Sequence, residues 1–138
     1  MKQITITVNE QQAHIINASL ELYTRLLMGQ FNFLDSLFIS RSNNDFWKDQ
    51  TRRNAFEYYL NHARKELIPE LEPNAYYGIY DSKHIPDSAR IAWDIYAQIR
   101  HDISWHNNPK GGITVNFDTP DHTQKDVPLP KVEIREVE

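Results

Sequence analysis

The sequence predicts an α+β fold, with three main amphipathic helices and a small sheet formed by N-terminal and C-terminal strands. Three observations point there. Segments at about 10–28, 45–68 and 86–107 carry apolar residues at helical spacing. Both chain ends alternate apolar and polar residues at the two-residue period of strands. The Pro- and Gly-containing stretches separate these segments. A chain of 138 residues suits one domain with a real core and is too short for two ordinary ones.

In chain order, residues 3–8 (QITITV) read as a strand with Ile4, Ile6 and Val8 on one face. Asn9 is then an N-cap, and Glu10 lies in the first turn of a helix over about 10–28. On that helix Ile15, Ile16, Leu20, Leu22, Tyr23, Leu26 and Leu27 cover about half the circumference. His14, Asn17, Glu21 and Arg25 mark the other half. So wide an apolar face implies more than one neighbour, either another helix or another subunit. Gly29 is placed to end the helix as a C-cap. FNFLDSLFI at 31–39 predicts one or two helical turns. Asn44 or Asp45 caps a long helix over about 45–68, whose buried stripe is Phe56, Tyr59, Leu60, Ala63 and Leu67. Lys48, Arg52, Arg53, Arg64, Lys65 and Glu66 form its solvated face.

Pro69 and Pro73 bracket the end of that helix, and the connection NAYYGIYDSKHIPD carries Tyr76, Tyr77 and Tyr80 as a lid, a short strand or a pocket wall. Pro86 opens the third helix, with Asp87 in its first turn where the helix dipole favours an anion. Ile91, Ala92, Ile95, Tyr96, Ile99 and Ile103 share its core-facing arc. Asn107, Asn108 and Pro109 end it, and Lys110, Gly111 and Gly112 make a turn. ITVNF at 113–117 reads as a strand. Residues 118–130 read as a polar linker, and 131–137 as an edge strand or arm that pairs within the chain or with another copy. The whole, 1–138, is expected as a single domain.

A net charge of -4 argues against sequence-independent nucleic-acid binding, which requires a basic face. The chain has no cysteine, hence neither a disulfide framework nor a thiolate zinc site. It shows no long apolar run of the kind a signal peptide or a membrane span needs. These features together suit a cytoplasmic protein. No Walker loop, dinucleotide-binding glycine fingerprint, HExxH helix or GxSxG elbow is present, so no cofactor is expected. His101 and His106 stand five residues apart, about 140° around a helix, which does not make a metal pair. His101 with Asp94 or Asp102 has the composition of an acid–base pair, but no nucleophile is apparent, and the expectation is a protein that is not an enzyme.

Binding has more support. Trp93 and Arg100, seven residues apart, border a flank whose other positions, Ala97 and Ser104, are small. Arg25 and Arg100 suit phosphate through charge-assisted hydrogen bonds, while Trp93, Tyr96 and Trp105 suit base stacking. Asn107 and Lys110 add donors at the end of the same helix. The candidate ligand-binding set is therefore Arg25, Trp93, Tyr96, Arg100, Ser104, Trp105, Asn107 and Lys110. The competing reading places Trp93 in the core and makes Arg100 a helix-bridging ion pair.

The segments LELYTRLLMGQF at 20–31, AWDIYAQIRHDISW at 92–105, NPKGGITVNFDTP at 108–120 and the closing PLPKVEI resemble a family of small, largely uncharacterised phage (bacteriophage) accessory proteins, over most of the chain. The resemblance implies a protein acting in the bacterial host cytosol, often against host defence. Joined to the aromatic and arginine content, it leads to the expectation of a homo-oligomeric, non-enzymatic protein that binds and sequesters a nucleotide signalling molecule. Two alternatives stand beside it: occlusion of a host protein through Tyr76, Tyr77 and Tyr80 or a helix face, and a small enzyme acting on a nucleotide.

Overall fold

The computed structural model describes residues 1–38 and 45–138. Among them the order is α1 (Glu10–Leu27), a 3₁₀ helix (Phe31–Phe38), α2 (Asp45–Lys48), α3 (Gln50–Leu67), α4 (Asp87–Asn107) and a 3₁₀ turn (Val115–Phe117). No strand occurs among the described residues, which overturns the expected α+β class: the observed architecture is helical. No helix among them is long and apolar enough to cross a membrane.

The caps explain where the helices begin and end. At the start of α1, the Gln12 N–H donates to Asn9 Oδ1 (2.8 Å) and the Asn9 N–H donates to Gln12 Oε1 (3.0 Å), a reciprocal capping box. Its last turn closes as a Schellman motif. The Gln30 N–H reaches Arg25 O and the Gly29 N–H reaches Leu26 O, with Gly29 at φ +92°. A side chain at Gly29 would be strained by that φ and would also meet Leu71 Cδ1 at 2.6 Å.

The expected single helix over 45–68 is instead two. Asp49, extended at φ -104° and ψ 100°, accepts from the Arg52 N–H and caps α3, so α2 stops one residue earlier. Asn44, the other expected cap, lies outside the described residues, as does Ile39.

The chain forms two compact units, Met1–Glu21 with Arg90–Glu138, and Leu22–Ala89. In the first, Asp94 of α4 is 4% exposed and organises the segment that follows the helix. Its carboxylate accepts from the Thr123 N–H (2.8 Å), the Thr123 hydroxyl (2.6 Å) and the Gln124 N–H (2.9 Å). Arg90, also buried, donates from Nε to Gln124 Oε1 at 2.7 Å. Thr123 and Gln124, within the segment 118–130, are thus held on α4.

The strands expected here do not form. Alternation supplies side chains for two faces, but a ladder also needs a second edge for the backbone groups. Ile4 and Ile6 remain 85% and 72% exposed. Residues 113–117 turn instead, because Phe117 packs edge-on to Trp105 (5.4 Å) and its carbonyl accepts from Trp105 Nε1 (3.0 Å). In the arm at 131–137, Glu133 takes both Lys131 (2.7 Å) and Arg135 (2.9 Å), so its charges are matched locally.

The second unit has a small apolar core of Met28, Ile85 and Ala89, with Leu27, Tyr77 and Ile79 packed on it. Thr24, fully buried, donates to Ala89 O (3.1 Å), and the Tyr77 N–H donates to Met28 O (2.8 Å). The faces differ from those the apolar pattern predicts. On α1 the buried residues are Asn17 and Thr24, while Ile15 is 63% exposed. On α3 the buried residue is Arg64, expected to be solvated, whereas Tyr59, Leu67 and Ala63 of the expected buried stripe are exposed.

Candidate functional site

Within Leu22–Ala89, two residues with positive φ shape a concavity beside α3. Gly29 turns the chain out of α1 into the 3₁₀ helix, and Asn74, at φ +65°, bends the loop after Pro73. Arg64 fastens both. Its guanidinium donates to Gly29 O (3.1 Å), Ala75 O (2.6 Å) and Glu72 O (2.7 Å), joining the exit of α1 to the loop. The planar fork of arginine suits this task, since one cation reaches carbonyls in different directions.

The result is a cavity of about 190 Å³, whose lining includes Gln30, Phe31, Asn32, Glu57, Asn61 and Tyr76. The Gln30 amide is held by Arg25, whose Nη1 donates to Gln30 Oε1 (2.9 Å) while its guanidinium lies 4.7 Å from the centre of the Phe33 ring. Asn32, Glu57 and Asn61 differ. Among the described residues none of these three side chains has a hydrogen-bond partner, so their donors and acceptors are available to an occupant. Phe31 and the exposed Tyr76 supply ring surface. The lining contains no Ser, Thr, Cys, His or Lys; its titratable side chains are Glu57, Arg64 and Tyr76.

The sequence-derived set is distributed differently. Trp93, Tyr96 and Arg100 come together, but on one another. Tyr96 is 8% exposed, its ring centre lies 5.1 Å from that of Trp93, and its hydroxyl accepts from Arg100 Nη1 (2.9 Å) with the guanidinium 4.8 Å from the ring. Burial, reinforced by Glu21, raises the Tyr96 pKa above the usual tyrosine value, while Arg100 opposes that rise. Ala97, expected in a shallow surface spot, is 4% exposed. Ser104 is half-buried, and its carbonyl accepts from the Asn108 N–H. Trp105 is engaged with Phe117 and with Gly111, where a Cβ would lie 2.9 Å from the indole. Asn107 donates to Glu10 Oε1 (2.9 Å), which with the neighbouring His14 and His106 pulls the Glu10 pKa down. Lys110 is exposed in the turn. Arg25 belongs to the other unit and there supports the cavity wall through Gln30.

The imagined pair of His101 and Asp94 is not made: His101 Nδ1 faces Asn116 O (3.1 Å), and Asp94 holds Thr123 and Gln124. Among the described residues no cluster of three His, Cys, Asp or Glu could hold a metal.

Sequence reasoning missed Arg64 and the amides around it. One signal was present: Phe56, Leu60 and Arg64 continue a single i, i+4 row, and the arginine at its end lies on the inward side.

No protein-family model, no curated protein and no solved structure matches the chain.

Proposed function

We propose that this protein binds, without chemical turnover, a ligand that presents a nucleobase, and that the base enters the cavity beside α3. The observation that carries this reading is the set of unengaged polar side chains on a concave wall: Asn32, Asn61 and Glu57, flanked by the rings of Phe31 and Tyr76. Side-chain amides pair with the edges of bases, and aromatic rings take their faces. Glu57 adds an acceptor, which favours bases with an exocyclic amino group. At about 190 Å³ the cavity is smaller than the roughly 300–1,000 Å³ of sites that enclose a whole drug-sized ligand. It therefore holds one ring system and leaves sugar and phosphate outside. The resemblance to small phage proteins gives the reading its setting, a chain that keeps a host signalling nucleotide from its receptor.

A thermal-shift series with adenosine, cytidine, guanosine and uridine nucleotides tests it. The expected outcome is stabilisation by the three amino-bearing bases, loss of the shift in Asn61→Leu, and recovery of intact nucleotide after denaturation. At a ligand concentration of 100 times Kd the stabilisation is about 2.7 kcal/mol. Absence of any shift at millimolar nucleotide, or recovery of an altered molecule, defeats the reading.

A second reading rests on Tyr76 and Tyr80, which are 58% and 62% exposed and so are placed to anchor a host protein. Tyr77 does not join them. Its ring stacks on His84 at 4.4 Å and its hydroxyl donates to Glu70 (2.9 Å). Stoichiometric capture of one protein from bacterial lysate, lost in Tyr80→Ala, distinguishes this reading.

A further inference from the structure

α3 has a second face that the fold leaves open. Arg52, Ala55, Tyr59, His62, Ala63 and Glu66 lie within about 60° of one direction around the helix, and all six are exposed. Tyr59 at the centre is 69% exposed, and Tyr58 and Leu67 beside it are 60% and 72% exposed. Arg52, Ala55, Tyr59, His62 and Glu66 also follow the 3-4-3-4 spacing of a helix-pairing seam.

The charges on this face are reversed relative to the helix itself. Arg52 sits in the first turn and Glu66 in the last, whereas the helix dipole favours acid at the start and base at the end. Among the described residues neither side chain has an ion-pair partner. A second copy running antiparallel resolves both facts. The positions are symmetric about Tyr59, so a twofold axis there sets Arg52 against Glu66 and Ala55 against Ala63, with Tyr59 meeting itself. Each charge then also lies beside the favourable end of the opposite helix dipole. The small Ala55–Ala63 layers let the two helices approach on either side of the tyrosines.

We infer that the outer face of α3 is a self-association surface, which pairs two copies of this chain antiparallel about Tyr59. Glu57 and Asn61 project from the opposite side of α3, so this pairing does not depend on the ligand reading.

The test is sedimentation of the full chain and its variants across about 5–200 µM, the range appropriate to a contact smaller than a standard interface. The wild type is expected to form a dimer. Arg52→Glu and Glu66→Arg each weaken it about tenfold or more, since each reversal turns two attractions into two repulsions. The double reversal restores it. Circular dichroism shows that the single variants keep their helix content, as changes to exposed side chains should. In a chain without cysteine, Tyr59→Cys gives an oxidised disulfide-linked dimer and Lys65→Cys, off the seam, does not. A monomer at 200 µM overturns the inference. So does a dimer indifferent to both single reversals, or a double reversal that leaves the dimer as weak as the singles.

Discussion

Replacing Arg64 by methionine removes the guanidinium while keeping an unbranched, flexible stem. Three backbone carbonyls, Gly29 O, Glu72 O and Ala75 O, then lose their donor at a position only 6% exposed. Hydrogen bonds from a charged donor contribute about 1.5–3 kcal/mol each. The three cannot simply be added, because they share one cation whose burial costs several kcal/mol that methionine does not incur. Local opening also lets water reach some of the carbonyls. These opposing effects place the loss near 3–4 kcal/mol, a large share of the roughly 5–15 kcal/mol that stabilises an ordinary domain. Arg64→Lys keeps a charge but not the fork, so it should lose about 2 kcal/mol. Urea unfolding followed by circular dichroism and tryptophan fluorescence measures both, with m-values near that of the wild type. If both variants fall within about 0.5 kcal/mol of the wild type, Arg64 does not fasten the loop to the end of α1, and the account of the cavity walls fails with it.

Three further outcomes follow from local geometry. Asp49→Ala removes the cap that starts α3 and should cost about 1 kcal/mol by urea unfolding, whereas Asp49→Ser should retain most of it. Asn74→Ala places a side chain without local hydrogen-bonding capacity at φ +65° and should lose about 1–2 kcal/mol by the same measure, while Asn74→Gly stays close to the wild type. Asp35 has a raised pKa, first through burial and further through the charge of Glu57, with the Ser36 backbone hydrogen bond opposing. A folded value above the unfolded one means that the native state binds the proton more tightly, so stability is lost as pH rises through that value. Asp35→Asn should therefore melt above the wild type at pH 7, with the gap closing towards pH 3; a gap of the opposite sign at pH 7 contradicts the assignment.

The ends of α1 and α4 were legible because each rests on local chemistry, whereas the Asp49 cap that divides α2 from α3 was not read. Asn9 with Gln12, Gly29, Pro86 and the Asn107–Pro109 run act within a few residues of themselves, and the limits read for α1 and α4 agree with those observed to within a residue. The faces were less legible. Thr24, Arg64, Arg90 and Asp94 are buried because groups outside their own helices offer each a partner, and an apolar pattern says nothing about such partners. The same limit explains the missing sheet. Alternation in QITITV and KVEIREV states what a strand would present, but pairing depends on a second edge that the described residues do not provide. At the candidate site, Arg25 was singled out for a phosphate, and in the structure it steadies Gln30 on the cavity wall. Asn61 and Glu57 were passed over because polar residues on a charged helix look solvated until Gly29 and Asn74 bend the chain around them.

The two proposals meet on α3 and make a joint prediction. Glu57 and Asn61 project about 160° away from Tyr59, so a nucleobase in the cavity and a second copy on the seam contact opposite sides of one helix. α3 is held by its Asp49 cap at one end and by Arg64 near the other, so the helix is expected to keep its place when a ligand binds. Coupling requires a ligand to interact differently with two states. Dimerisation measured with and without saturating nucleotide should therefore give the same constant to within about twofold, or 0.4 kcal/mol, with one ligand bound per chain in either state. A tenfold shift would show that α3 has two positions after all, with ligand binding and self-association selecting between them.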